Sequence, residues 1–270
     1  MTRMYHGAPV RFVLVRSLLL VAVPAAAPGT LGAQAFEGSV TMRELYLESA
    51  PLSAALVAEP DRLPHLSLAD LEMRADSAGV PVERTELTYY VSGSRLRSVP
   101  TGDSSGSAEF LIADFAAGLY RVVDPAQTLI VEWRGRSAGD TTTIGGYALP
   151  DDPDISAIGQ SREVNGFLCD GWVMRRGPAI VEASWLTAEL DDLTRTFAHL
   201  ALLSEELSGS GESGRSILRL LDRGFPVRTV TADADAGLIS AAEVTAVERR
   251  ALAADAFDPP PGYLTVTVER

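Results

Sequence analysis

Gly102-Asp103-Ser104-Ser105-Gly106 has the G-x-S-x-G spacing with which serine hydrolases present a nucleophile. That chemistry needs the serine on a strained strand-to-helix turn, a histidine base within reach, and a carboxylate to orient the base. Here the five residues lie in a Gly/Ser-rich loop, and no helical pattern follows them. Beyond residue 35 only His65 and His199 remain as bases, the first in a proline-rich turn and the second inside an apolar helical pattern. The motif reads as a solvated loop. No catalytic residue is assigned, and the chain is expected not to be an enzyme.

Two acidic groups invite a metal reading. Asp233-x-Asp235-x-Gly237 has the opening spacing of a calcium loop, but the closing twelfth position holds Val244 where a bidentate acid is required. Asp151, Asp152 and Asp154 crowd a second loop. Both fit turn chemistry, since aspartate hydrogen-bonds its own backbone two residues on. A transition-metal site needs His or Cys partners, and too few are present. The expected metal and cofactor content is none. Cys169 is the single cysteine, so an intramolecular disulfide cannot form. Its neighbours Phe167, Leu168 and Trp172 suit a buried, inert thiol.

What remains is apolar and aromatic. Tyr89, Leu96, Tyr120, Val122, Leu129, Val131, Trp133, Trp172 and Trp185 all fall on segments with strand character. They are the candidate lining of a ligand cavity, and packing of an ordinary core is the competing use of the same side chains.

The elements that must position them come in order. Phe36–Arg43 alternates apolar and polar residues, as a half-buried strand does. Residues 47–82 interrupt the strands with four prolines and Leu/Ala-rich pieces, and Ser67-Leu-Ala-Asp70 can cap a helix reaching Ala78. Strands follow at 87–91, 95–97 and 110–112. A hairpin turns at Asp124-Pro-Ala-Gln127, and a second turns at Asn165-Gly166, whose residues tolerate the positive φ of a type I′ turn. The period then changes: Leu190, Leu193, Phe197, Leu200 and Leu207 share one face of a helix over 188–207. A short helix is expected at 216–223, then strands at 226–231, 238–247 and 262–268. Many short antiparallel strands with late helices indicate an α+β fold in a single domain.

The first 35 residues differ in kind. Arg3, Arg11 and Arg16 precede an apolar run, Ser17–Ala27, and Ala33-Gln34-Ala35 supplies small residues before Phe36. That is the charge, length and exit chemistry of a signal peptide, so 1–35 is expected to be removed and 36–270 to be periplasmic or secreted. The run is too short to span a bilayer, and no other long apolar segment would anchor the chain. The full chain carries 23 basic and 36 acidic residues; without the three leader arginines the balance is 20 against 36, or −16. Such a surface repels phosphate backbones, which speaks against nucleic acid as a partner.

Several motifs of the second half, in order, resemble one family. They are Asn165-Gly-Phe-Leu-Cys-Asp-Gly-Trp172 ("G-x-x-C-x-x-Y/W"), Val181-Glu-Ala-Ser-Trp-Leu-Thr187 ("E-x-W-L/V-T"), Gly224-Phe-Pro-Val227 ("G-x-P-L/V") and Phe257-Asp-Pro-Pro-Pro-Gly-Tyr263 ("F-x-x-P-x-G-Y"). Phe36-Glu-Gly and Tyr89-Tyr-Val-Ser-Gly93 resemble its opening strands. The family is the exported bacterial domain-of-unknown-function family 4412, similar to the LolA-like and LppX-like lipoprotein carriers. The chain departs from it in the 47–82 excursion and in lacking Met-rich strands. The resemblance implies a curved antiparallel sheet, an open half-barrel, wrapped over two or three helices, with 47–82 as an insertion. It further implies a lipid or acyl chain held between sheet and helices. The alternative expectation is an envelope interaction module with a filled core and a protein partner.

Overall fold

The computed structural model describes residues 35–102, 106–135, 154–208, 220 and 223–269. Among these residues twelve strands join one sheet: β1 (Glu37–Glu48), β2 (Val82–Ser92), β3 (Arg95–Pro100), β4 (Phe110–Asp114), β5 (Leu119–Asp124), β6 (Leu129–Arg134), β7 (Asp154–Val164), β8 (Phe167–Arg176), β9 (Ala179–Thr187), β10 (Phe225–Asp233), β11 (Leu238–Arg249) and β12 (Leu264–Val268). Their spatial order is β12-β6-β5-β4-β3-β2-β1-β11-β10-β9-β8-β7. The first strand therefore lies mid-sheet, held by β2 on one side and β11 on the other.

This corrects the expected α+β half-barrel wrapped over helices. Among the described residues the molecule is mostly one large mixed sheet, with three short α-helices whose bounds are described: α1 (Ala50–Ala58), α2 (Leu68–Ala78) and α3 (Asp191–Ser208). The sheet is not wholly antiparallel, because β12 runs parallel to β6. Nor do the helices form one layer. In β1, Val40 and Met42 join the core that holds Leu193 and Phe197 of α3, whereas Leu45 and Leu47 join the core beneath α1 and α2. Alternate strand residues point to opposite faces, so the 47–82 helices cover the face that α3 does not. The short helix expected at 216–223 falls largely outside the described residues.

Local chemistry explains the helices. Ser67 caps α2 by accepting from the Asp70 N–H while Asp70 accepts from the Ser67 N–H, a full capping box, and Gly79 ends the helix in the left-handed region. α3 is anchored at its start by Arg249 of β11, which donates twice to Asp192 at 2.5 and 3.1 Å, and by Thr196 donating to the Gly93 carbonyl at 3.0 Å. Among the described residues no helix is long and apolar enough to cross a membrane.

One close approach fixes the middle of the sheet. Gly38 in β1 has φ +151, and a Cβ there would stand 1.9 Å from the Glu248 carbonyl oxygen of β11. Only glycine fits. At the far end, the segment after β11 crosses the outer face of β4–β6. Phe257 packs with Phe110, Ile112, Val123 and Ile130, Arg95 lies over the Phe257 ring at 4.6 Å, and Arg97 donates to the Ala256 carbonyl. That crossing delivers β12 to the edge beside β6 and fixes its parallel sense.

Candidate functional site: an apolar strip at the β6–β12 edge

Of the nine cavity candidates, Tyr89, Leu96, Tyr120, Trp133 and Trp185 belong to one buried cluster with Val122 and Val131 packed against it, Trp172 packs against another, and Leu129 joins neither. Cross-strand partners share a face, and the ladders Val40–Tyr89, Val91–Leu96, Leu96–Ala113, Ala113–Tyr120 and Tyr120–Trp133 put Tyr89, Leu96, Tyr120 and Trp133 on the α3 face. All four are buried; Tyr89 is 1% exposed. Its ring meets Phe197 of α3 edge-on at 5.1 Å, Phe197 meets Phe225 at 5.2 Å, and Tyr120 stacks on Trp133 at 5.8 Å. Phe115 stacks on His199 at 5.3 Å, and burial followed by nearby Arg195 lowers the His199 pKa. These side chains are spent on packing against the helix.

Trp172 is on the same face, paired with Ser184, but belongs to a separate cluster with Met174, Leu186 and Leu220. Trp185 points the opposite way, paired with Gly171 and Arg228. Its indole N–H donates to the Pro64 carbonyl at 2.8 Å, and the Arg162 guanidinium lies 3.8 Å over its ring. A Cβ on Gly171 would come within 3.0 Å of the Trp185 ring, so a glycine there lets the indole lie against the backbone.

The other three candidates are the informative ones. Val122, Leu129 and Val131 are only half-buried. β12 extends their row, since Leu264 pairs with Leu129, Val266 with Val131 and Val268 with Trp133. Leu264, Val266 and Val268 are 68%, 43% and 40% exposed. The result is an apolar strip three strands wide on the α3 face, bounded at the turn end by Asp124, opposite Leu129. Glu109 lies near Asp124, and burial, then that carboxylate, raises the Glu109 pKa. Sequence reading found the β5 and β6 part of this strip but placed β12 only as a last strand; its partner is set by the crossing segment.

A second feature went unseen in the sequence. Glu182 of β9 is fully buried, and burial pushes its carboxyl up to about 7, opposed by a hydrogen bond from Ser184, whose hydroxyl also meets Thr229 at 3.0 Å. Alternation with Val181, Ala183 and Trp185 marks position 182 as outward-facing, so no local signal betrays the burial.

The remaining chemical candidates resolve simply. Asp103, Ser104 and Ser105 lie outside the described residues, as do Asp151 and Asp152. Asp233 accepts from the backbone N–H groups of Asp235 and Ala236, an aspartate-capped turn. Among the described residues no group of three or more His, Cys, Asp or Glu is placed to hold a metal ion. Cys169 is buried, and desolvation, reinforced by Glu189, pushes its thiol up to about 12.

Comparison with known families places the chain. Residues 120–263 match the model of a domain of unknown function, DUF4412, and the chain belongs to that family. No curated protein matches the chain at a significant level. Among solved structures it is similar to an uncharacterized conserved protein from Thermus thermophilus, at 9% identity and TM-score 0.41, covering 84% of this chain and 90% of that one. Two structures of PNGF-II, in the C2 and P21 space groups, share 11% identity with TM-scores of 0.38 and 0.37. They align over 85% and 86% of this chain, which spans only 31% and 32% of those longer proteins.

Proposed function

We propose that this member of the DUF4412 family is an exported, non-enzymatic binding protein that engages an apolar partner on the β5–β6–β12 strip, the interior beneath α3 serving as packing. The single observation that carries the reading is the exposure of Leu264, Val266 and Val268 in line with Val122, Leu129 and Val131. A contiguous apolar patch open to water marks an interaction surface. Export rests on the leader: its arginines, apolar run and Ala-Gln-Ala exit. The resemblance of the sequence motifs to LolA-like carriers supports an apolar ligand class, with the contact moved to the open face.

Of the two occupants, an acyl chain and an envelope protein, the strip suits the protein. Acyl ligands bind in concave sites that bury most of their surface, whereas these side chains stand on an open sheet face. The test is p-benzoylphenylalanine in place of Val266 in intact producing cells, with the same residue in place of exposed Met73 as control. A discrete protein adduct at 266 alone is the expected result. Lipid adducts at 266 would reassign the strip to an acyl ligand, and equal crosslinking at both positions would end the proposal. Export is checked separately: the mature protein should have the mass of 36–270.

A further inference from the structure

We infer that the outer edge of β12 accepts an extended segment of a cationic partner chain, which adds one more strand to the sheet. The inference deepens the reading of the strip and rests on it.

Backbone geometry comes first. The Leu264 N–H donates to the Thr128 carbonyl at 2.9 Å, so residue 264 spends its backbone groups on β6. N–H and C=O directions alternate along a strand, and residues 266 and 268 face β6 in the same register. Thr265 and Thr267 therefore turn their N–H and C=O groups outward, where no strand pairs with them among the described residues. An incoming strand would meet this row and set every second side chain beside Leu264, Val266 and Val268. The apolar strip would then continue unbroken onto the partner.

Among the described residues the edge is also unprotected. Natural sheets blunt exposed edges with charge, proline, bulges or cover. Leu264-Thr-Val-Thr-Val268 has no charge and no proline, and its ladder to β6 runs without a bulge. The opposite edge strand, β7, shows the contrary provision, with a register shift between Ala157 and Ser161 and charged Arg162 and Glu163.

Charge selects the occupant. The chain holds 23 basic and 36 acidic residues, and its negative field opposes a second copy approaching edge to edge while drawing in a cationic chain. The uncharged strand itself asks for an uncharged, alternating stretch flanked by Lys or Arg. Main-chain bonds then supply affinity and the alternate side chains supply specificity.

The test uses the protein 36–270 and a fluorescein-labelled probe peptide, Thr-Val-Thr-Val-Thr-Val flanked by two arginines at each end, read by anisotropy. Binding is expected, and at least about tenfold weaker for the same peptide flanked by glutamates or N-methylated at alternate residues. Thr267→Pro should weaken it as much without lowering the melting temperature, because proline is tolerated where the N–H faces away from the ladder. Equal binding by Thr267→Pro or by the N-methyl peptide overturns strand addition; if Val266→Asp still abolishes binding, the strip reading stands while this inference falls. No binding of the arginine peptide overturns it too. A dimer seen by light scattering and lost in Thr267→Pro would assign the edge to a second copy and overturn the cationic partner.

Discussion

At the β7 edge the outermost strand is bulged, and its hairpin tip folds back over the sheet. Asn165 at that tip donates to the Glu243 carboxylate at 2.6 Å and the Val244 carbonyl at 2.7 Å, reaching past β9 and β10 to β11. Arg162 and Trp185 both donate to the Pro64 carbonyl, and Arg228 holds Glu243 at 2.8 and 3.1 Å. Among the described residues none of this occurs at the β12 edge: the strand is short, regular, uncharged and exposed along its whole length. One margin is tied down by side chains from four elements, and the other, among the described residues, leaves its outward backbone groups without a strand partner. The difference teaches that apolar exposure at β12 runs along a whole strand, whereas the other exposed large apolar side chains among the described residues, Met73 and Leu168, stand singly.

The contrast can be broken from the secured side first. Trp185→Ala removes the ring that Arg162 covers and the donor to Pro64, and should cost about 3–5 kcal/mol, as deletion of a buried aromatic does; chemical denaturation measures it. Glu182, on the opposite face of the same strand, adds a pH test. Its folded carboxyl titrates at about 7 against an ordinary value of 4.5. The folded state thus binds the proton more tightly. Its contribution is fully present below about 4.5 and is lost as pH rises through 7, on the order of 3 kcal/mol for such a shift. Glu182→Gln should flatten the dependence of melting temperature on pH between 5 and 8, and an unchanged slope would show that another group governs it.

Smaller effects sharpen the comparison. Asn165→Ala unhooks the hairpin tip and leaves the Glu243 and Val244 oxygens one donor short, a loss of about 1–2 kcal/mol. Hydrogen exchange should show faster opening at 165–169 and little change at β12. Val266→Asp, on the open margin, should shift stability by no more than about 0.5 kcal/mol, as exposed substitutions do, while removing partner binding. A large loss of stability there would mean that the strip is core after all.

Local signals survived from sequence to structure. The Ser67–Asp70 capping box and the Asn165-Gly166 turn, with φ of 49 and 86, are written in adjacent residues and need nothing else to form. The aromatic residues of β2, β5 and β6 were legible as one apolar face because period-2 alternation is also local. The parallel pairing of β12, the separation of helices onto two faces and the curl of the β7–β8 hairpin depend on contacts between distant segments. Glu182 shows the limit most plainly. Its neighbours in sequence alternate as on a solvated strand, and its partner Ser184 finds a buried companion only in Thr229 of β10, 45 residues further along the chain.

The mid-sheet position of β1 has a consequence for how the chain comes together during synthesis. Residues 37–48 emerge ahead of every other strand described, yet one of their two flanking neighbours is 238–249. Until those late residues are available to pair, the seam between the two halves stays unzipped, and Gly38 waits for the carbonyl it is shaped to meet. Any truncation ahead of position 238 would leave that seam permanently open, whatever happened at either outer strand.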